Sequence, residues 1–301
     1  MAIGKYLKEI GRGKDGARAL SRADAADLFG QVLDRSVTDL EIGAFCLAMR
    51  IKGETAGEMA GFLDATRQRM ALLPASSTPT VVIPSYNGAR KLPLLTPLLA
   101  LLLAREGLPV LIHGAATEDR RVFVSEVLLA QGITAQAATQ SIANGSVGFV
   151  PTAALCPGLL SLLEVRRVVN LRNPAHSLVK LMNPVDGPAL IVSSYTHPEY
   201  AVSMAETFSL VQANALLVRG TEGESVADPR RTPCMQAFVG GVATDLQAYQ
   251  AGPLDSLPDL PTTTDAATTA RYIEAVLAGT EPLPAPIAQQ VAHILHLHQQ
   301  L

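Results

Sequence analysis

Apolar residues recur at helical spacing through the first seventy positions. Ala25, Leu28, Phe29, Val32 and Leu33 share one face of a helix that begins after Ser21-Arg22-Ala23-Asp24. Thr38-Asp39-Leu40-Glu41 and Thr55-Ala56-Gly57-Glu58 both read as capping boxes, in which a hydroxyl and a carboxylate satisfy each other's backbone donors. Ile42, Phe45, Cys46 and Met49 follow the first box at helical spacing, and Gly53 is suited to close that helix. Met59, Phe62, Leu63 and Thr66 follow the second. The segment "ALLPASSTPT" (71–80) has the composition of a linker.

Beyond it the period changes. Short β-branched runs at Thr80–Ile83, Val110–Ile112, Ala189–Val192 and Ala215–Val218 alternate with helical stretches. This alternation predicts an α/β fold with a mostly parallel sheet covered by helices on both faces. The expected division is an N-terminal helical domain over 1–72, joined in space by helices from about 160–185, and an α/β domain over 78–301. A helix is also expected after "PSYNGARK", with Thr96 as its cap and Pro97 in its first turn. The Pro- and Thr-rich stretch 253–286 reads as a connection before a last helix. Ligands of such sheets bind beyond the C-terminal strand ends, where "PSYNGARK", "HGAATEDRR" and "RGTEGESVADPRR" all fall.

Of the 301 residues 48% are hydrophobic and 17% charged, which fits a compact globular chain and excludes disorder. The start "MAIGKYLKEIGRGK" has no apolar core of a signal peptide, and the apolar run around Leu92–Ala104 is broken by two prolines. No membrane association is expected. Cys46, Cys156 and Cys234 lack any paired spacing, so reduced thiols in a cytoplasmic protein are expected, without a zinc site. His293, His296 and His298 read as a solvated C-terminal helix. The net charge of −3 exerts no global pull on nucleic acid, but it is polarised. Residues 1–22 hold six cations against two acids, a local +4, and from Asp245 onward six acids face one cation, a local −5.

Five segments resemble one family. "TDLEIGAFCLAMRIKGETAGEMAGFLDATR" (38–67) is similar to the N-terminal helical signature of anthranilate phosphoribosyltransferases. "VVIPSYNGARK" (81–91), "HPEY" (197–200), "RGTEGE" (219–224) and "ADPRR" (227–231) resemble its YbiB-like branch. The resemblance implies a helical domain on a larger α/β domain of nucleoside phosphorylase/phosphoribosyltransferase type, with homodimerisation through the helices. It also implies nucleic-acid binding without phosphoribosyl transfer. The enzymes read G-T-G-G-D where Pro84, Ser85, Tyr86, Asn87 and Gly88 stand, and N-x-S-T at Leu94 to Pro97. Their K-H-G-N-R falls on Ile112, His113, Gly114, Ala115 and Ala116, and their paired magnesium acids on Glu224-Ser225. A metal-bound diphosphate needs acids and closely packed backbone amides. Ser85, Tyr86, Asn87, Gly88, His113, Gly114 and Glu224 are therefore read as a vestigial phosphate loop, with no catalytic residue, metal or cofactor expected. His113 is expected to position the loop that follows its strand.

Arginine forks bind phosphodiester oxygens without a metal. The expected nucleic-acid contacts are Lys5, Arg12, Lys14, Arg50, Lys52, Arg90, Lys91, Arg120, Arg121, Arg166, Arg167, Arg230 and Arg231. Tyr86 is a candidate for stacking on a base, and Tyr6 is read either as packing or as a contact. Arg50 and Lys52 are equally readable as cations favouring a helix C-terminus, and Arg166-Arg167 as an inherited feature of the scaffold. The function expected is sequence-independent binding of DNA or RNA by a homodimer with basic grooves. The alternative is a phosphoribosyl- or glycosyltransferase using phosphoribosyl diphosphate and another acceptor.

Overall fold

Four helices come first, α1 (Gly4–Ile10), α2 (Arg22–Leu33), α3 (Asp39–Lys52) and α4 (Ala56–Arg67), in a computed structural model that describes residues 3–13 and 15–301. Their starts follow the capping signals. Ser21 accepts from the Asp24 N–H, and both Thr38–Glu41 and Thr55–Glu58 form closed capping boxes. Gly53 ends α3 at a φ of 79°, a conformation a side chain disfavours. The apolar faces meet around three rings. Phe29 and Phe62 stack at 4.6 Å, and Phe45 meets them edge-on at 6.1 and 6.0 Å. Gly61 lets α2 and α4 touch, since a Cβ there would lie 2.3 Å from the Arg22 carbonyl oxygen.

The remaining chain runs β1 (Leu73–Pro74), β2 (Thr80–Ser85), α5 (Thr96–Arg105), β3 (Val110–Gly114), α6 (Val124–Ala130), β4 (Val147–Pro151), α7 (Thr152–Leu155), α8 (Pro157–Val169) and α9 (Ala175–Leu178). Then follow β5 (Val185–Asp186), β6 (Ala189–Tyr195), α10 (Pro198–Leu210), β7 (Ala215–Thr221), β8 (Glu224–Ala227), β9 (Met235–Val239), β10 (Val242–Gln247), α11 (Ala266–Ala278) and α12 (Ala285–His298). The main sheet has the order β10-β9-β7-β6-β2-β3-β4, with β8 paired to β7 off this path. From β7 to β4 the pairing is parallel, whereas β8, β9 and β10 are antiparallel. The α/β architecture with a mostly parallel sheet is thus as expected. Strands β2 and β3 are buried throughout, as strands of a sheet covered on both faces must be. One core lies between the sheet and the N-terminal helices, and a second lies under α5, α6, α11 and α12.

Two features depart from the sequence reading. Strands β1, β4, β5, β8, β9 and β10 were not anticipated: β1 lies inside the stretch 71–80 read as a linker, Gly148 breaks the β-branched pattern of β4, and β10 is mostly exposed. The stretch 253–286 is not all connection, since it contains α11. Asp265 caps that helix by accepting from the Thr268 N–H at 2.8 Å. Hydrogen bonds from Thr263 and Thr268 push its carboxyl down to about 2. Among the described residues no helix is long and apolar enough to cross a membrane, and all three cysteines are free.

The direction of strand succession reverses at β2, with β3 and β4 on one side and β6 and β7 on the other. Ligands of open α/β sheets bind beyond the strand C-termini at such a reversal. Helix α8 brings its own C-terminus to that edge, packed so tightly on α2 that a Cβ at Gly158 would lie 2.1 Å from the Leu33 carbonyl oxygen.

Candidate functional site

The β2–α5 loop leaves Ser85 and turns at Gly88, whose φ is 66°. A Cβ at Gly88 would sit 2.9 Å from the Val122 carbonyl oxygen, so glycine is required for this approach. Against the loop lies the β7–β8 turn, held in left-handed conformation at Glu222 (φ 53°) and Gly223 (φ 92°). Glu224, only 1% exposed, projects from it into the cradle. Its Oε1 accepts from the N–H groups of Asn87 at 2.8 Å and Gly88 at 2.9 Å. Its Oε2 accepts from the hydroxyls of Thr96 at 3.0 Å and of Ser85. The oxyanion that this strand–loop–helix unit is shaped to hold is therefore supplied by the chain itself. Thr96 does not cap α5 as expected. It is the first residue of that helix, and its hydroxyl is committed to Glu224.

The same turn fills a second cradle. Glu222 Oε2 accepts from three successive N–H groups, Arg90 at 3.1 Å, Lys91 at 3.0 Å and Leu92 at 3.2 Å. Burial favours the protonated acid, but the amides of Lys91, Arg90 and Leu92 and the charge of Arg121 outweigh it and lower the Glu222 pKa. Beneath the turn, Lys180 Nζ donates to the Gly223 carbonyl at 2.7 Å, where the Ser194 hydroxyl also donates at 2.8 Å. Burial pushes the Lys180 ammonium down to about 8 against the attraction of Glu224.

The magnesium implied by the family resemblance does not fit these residues. The Glu224 oxygens are taken up by four donors. Ser225 stands where the enzymes have a second acid, and its hydroxyl donates to the Pro84 carbonyl at 3.1 Å. Among the described residues no group of three or more His, Cys, Asp or Glu is placed to hold a metal ion.

Tyr86 is corrected from a stacking candidate to a core residue. It is 4% exposed, and its hydroxyl lies 2.8 Å from both His113 Nδ1 and Thr152 Oγ1. A base cannot reach its ring. His113 is fully buried, which pushes it down to about 3 and keeps it neutral; it bonds Tyr86 of the β2–α5 loop and not the loop after its own strand, which it was expected to position. Gly114 serves strand contact, since a Cβ there would lie 2.1 Å from the Ser85 carbonyl oxygen.

The predicted cations divide into groups. Lys52 is corrected from a ligand contact, because its ammonium is buried against Glu58 at 2.6 Å, where an incoming phosphate has no access. Arg50 is exposed at the end of α3. Lys5 lies over the Tyr6 ring at 4.4 Å and Arg12 pairs with Glu9 at 2.7 Å, so both are engaged within their own helical segment. Tyr6 is buried and bonded to Asp27, a packing residue. Lys14 lies outside the described residues.

At the sheet edge the picture differs. Glu118 sits between Arg166 at 2.7 Å and Arg121 at 3.1 Å, while Asp119 pairs with Arg167. Arg121 also donates to the Gly88 carbonyl at 3.4 Å. Asp228 holds Arg230 in a fork at 3.0 and 2.9 Å and meets Arg231 at 3.4 Å. Arg90, Lys91 and Arg120 are exposed, and among the described residues none has an ion-pair partner. Glu118 and Asp228 each face two guanidiniums, and Glu222 offsets part of that surplus, because it feels the charge of Arg121 and acts in turn on Arg230.

Arg172 and Lys180 escaped the sequence reading. Both line a cavity of about 310 Å³ with Arg50, Glu54, His176 and Tyr200. Burial lowers the pKa of Arg172, with Arg166 and Arg121 adding repulsion, and pushes His176 down to about 4. Arg172 follows Asn170, the left-handed stop of α8, and that helix stop was its only sequence signal. Lys180 had none, since its partner Gly223 is 43 residues away.

Residues 5–70 match the model of the glycosyl transferase family, helical bundle domain. The chain is 42% identical over 296 residues to the protein YbiB of Escherichia coli (strain K12), covering 96% of this chain and 92% of that one. It is 28% identical over 271 residues to an anthranilate phosphoribosyltransferase of Leifsonia xyli subsp. xyli (strain CTCB07), covering 87% and 76%. The solved anthranilate phosphoribosyltransferase of Thermus thermophilus has the same fold, with a TM-score of 0.72 at 23% identity over 95% of this chain and 85% of that chain.

Proposed function

Because the chain belongs to the YbiB-like branch of the anthranilate phosphoribosyltransferase family, we propose that it binds nucleic acid without sequence preference, as a homodimer, and performs no phosphoribosyl transfer. One observation carries this reading. The inherited phosphate cradle is filled by Glu224, while Arg90, Lys91 and Arg120 stand exposed on its rim beside the surplus charge at Glu118 and Asp228. A sugar diphosphate needs the inside of the cradle, whereas a polymer of phosphates needs only the rim. Guanidiniums already oriented by a carboxylate lose less freedom on meeting a phosphate. DNA is the first candidate and RNA the second, since neither contact type reads bases.

The homodimer is supported by an exposed apolar face on the helical domain. Leu40 is 84% and Val168 82% exposed, with Leu47 and Ile51 along the same helix as Leu40. Apolar residues concentrated in this way mark interaction surfaces.

Fluorescence anisotropy with labelled oligonucleotides of unrelated sequence tests the reading, with sedimentation equilibrium reporting the dimer. Affinity is expected to fall steeply with salt through counterion release. Arg90→Ala with Lys91→Ala is expected to weaken binding to all sequences and flatten the salt slope by about 1.4–1.8. Unchanged binding by that double variant removes the rim from the mechanism. The alternative, transfer from phosphoribosyl diphosphate, has the shared scaffold in its favour. Diphosphate release with magnesium and an acceptor at enzyme-like rates would establish it instead.

A further inference from the structure

Three consecutive backbone N–H groups converging on one oxygen form an anion seat. The amides of Arg90, Lys91 and Leu92 do so around Glu222 Oε2. The geometry differs from the deep cradle of Glu224 in two respects. Arg90 and Lys91 are exposed, and Glu222 is only partly buried, so solvent reaches this seat. Glu222 is also held with a φ of 53°, a left-handed conformation that a residue with a side chain adopts only when its surroundings impose it. Arg121 and Arg230, themselves paired with Glu118 and Asp228, act on Glu222 electrostatically, and Arg90 and Lys91, which supply two of the three amides, have no ion-pair partner among the described residues.

We propose that the amides of Arg90, Lys91 and Leu92 form a seat for a phosphate group, which Glu222 occupies in the free protein and a backbone phosphate of bound nucleic acid takes over. This rests on the nucleic-acid reading above and adds to it a site and a restraint on that site. A phosphodiester oxygen offers the amides the same single negative charge as the carboxylate. It also brings further oxygens within reach of the Arg90 and Lys91 side chains. Glu222, once displaced, remains beside Arg121 and Arg230, so its charge stays compensated. Until displacement it repels incoming phosphate, which makes binding weaker than the surrounding cations alone would give.

Glu222→Ala and Glu222→Gln test this, because splinting and masking predict opposite signs. The wild type and both variants are titrated with a labelled oligonucleotide between about 50 and 200 mM salt. Inorganic phosphate is titrated separately while the backbone amide resonances of Arg90, Lys91 and Leu92 are followed. Both variants are expected to bind the oligonucleotide about tenfold more tightly, with a salt slope steeper by roughly 0.7–0.9 for Glu222→Ala. Phosphate is expected to move the three amides in Glu222→Ala far more than in the wild type. If Glu222 only splints the loop, Glu222→Ala binds more weakly, Glu222→Gln matches the wild type and the amides do not respond, which overturns the proposal. Glu222→Gln keeps an acceptor for the loop, so the test survives if the alanine variant folds poorly. Should phosphate move the amides while no form binds oligonucleotide, the nucleic-acid reading falls and the proposed exchange with it. The seat then belongs to a free phosphate compound.

Discussion

Replacing Glu224 with alanine empties the cradle at the end of β2 and leaves four donors facing a void. The hydroxyls of Ser85 and Thr96 can rotate toward other acceptors, but the N–H groups of Asn87 and Gly88 are fixed by the loop. Each buried unsatisfied donor costs about 1–3 kcal/mol, so the two amides together cost about 4 kcal/mol. Unfolding entropy of about 2.1 cal/mol/K per residue over 301 residues converts this to a melting temperature lower by about 6 °C. Glu224→Gln retains one acceptor oxygen and is expected to lose roughly half as much. Calorimetry and urea unfolding measure both variants. A small carboxylate such as acetate is expected to restore part of the loss in Glu224→Ala, because it fits the space and carries the missing charge. A melting temperature within about 1 °C of wild type, with no response to acetate, would refute the argument that this carboxylate holds the loop.

Two further outcomes follow from buried groups. His113, pushed down to about 3 by burial, refuses a proton that the unfolded chain accepts near pH 6.5. The unfolded state then binds more protons between about pH 3 and 6.5, so stability falls on acidification there by about 1.4 kcal/mol per pH unit. His113→Gln is expected to flatten that dependence in urea titrations at successive pH values. Lys52→Met removes the counter-charge of Glu58, which is 0% exposed and keeps only its neutral donors on Thr55 and Leu20, and is expected to cost about 3 kcal/mol. Oligonucleotide affinity is expected to stay within about twofold of wild type, which separates Lys52 from the rim cations.

Motifs written in consecutive residues were legible. The two capping boxes, the glycine ending α3 and the buried runs of β2, β3, β6 and β7 depend on local spacing, and they formed where expected. Strand β10 was not legible, because it lies mostly exposed at the sheet edge, and β4 carries a glycine in place of a β-former. The candidate site was legible in outline only. Which loops share the strand ends followed from alternation alone, but the fate of each charge did not. Lys52 and Arg90 look alike in sequence, yet one is sealed against Glu58 and the other faces solvent.

By itself the sequence determined the helical start and the α/β alternation, because these are properties of neighbouring residues and of their periodicity. Only the tertiary structure decided that Glu224 and Glu222 fill the two amide cradles, each more than 125 residues away from its donors along the chain. It also decided that Tyr86 points into the core and that Glu118 gathers Arg121 and Arg166. A hydrogen bond or ion pair acts over a few ångströms of space, and which distant carboxylate comes within that range is fixed by how strands and helices pack.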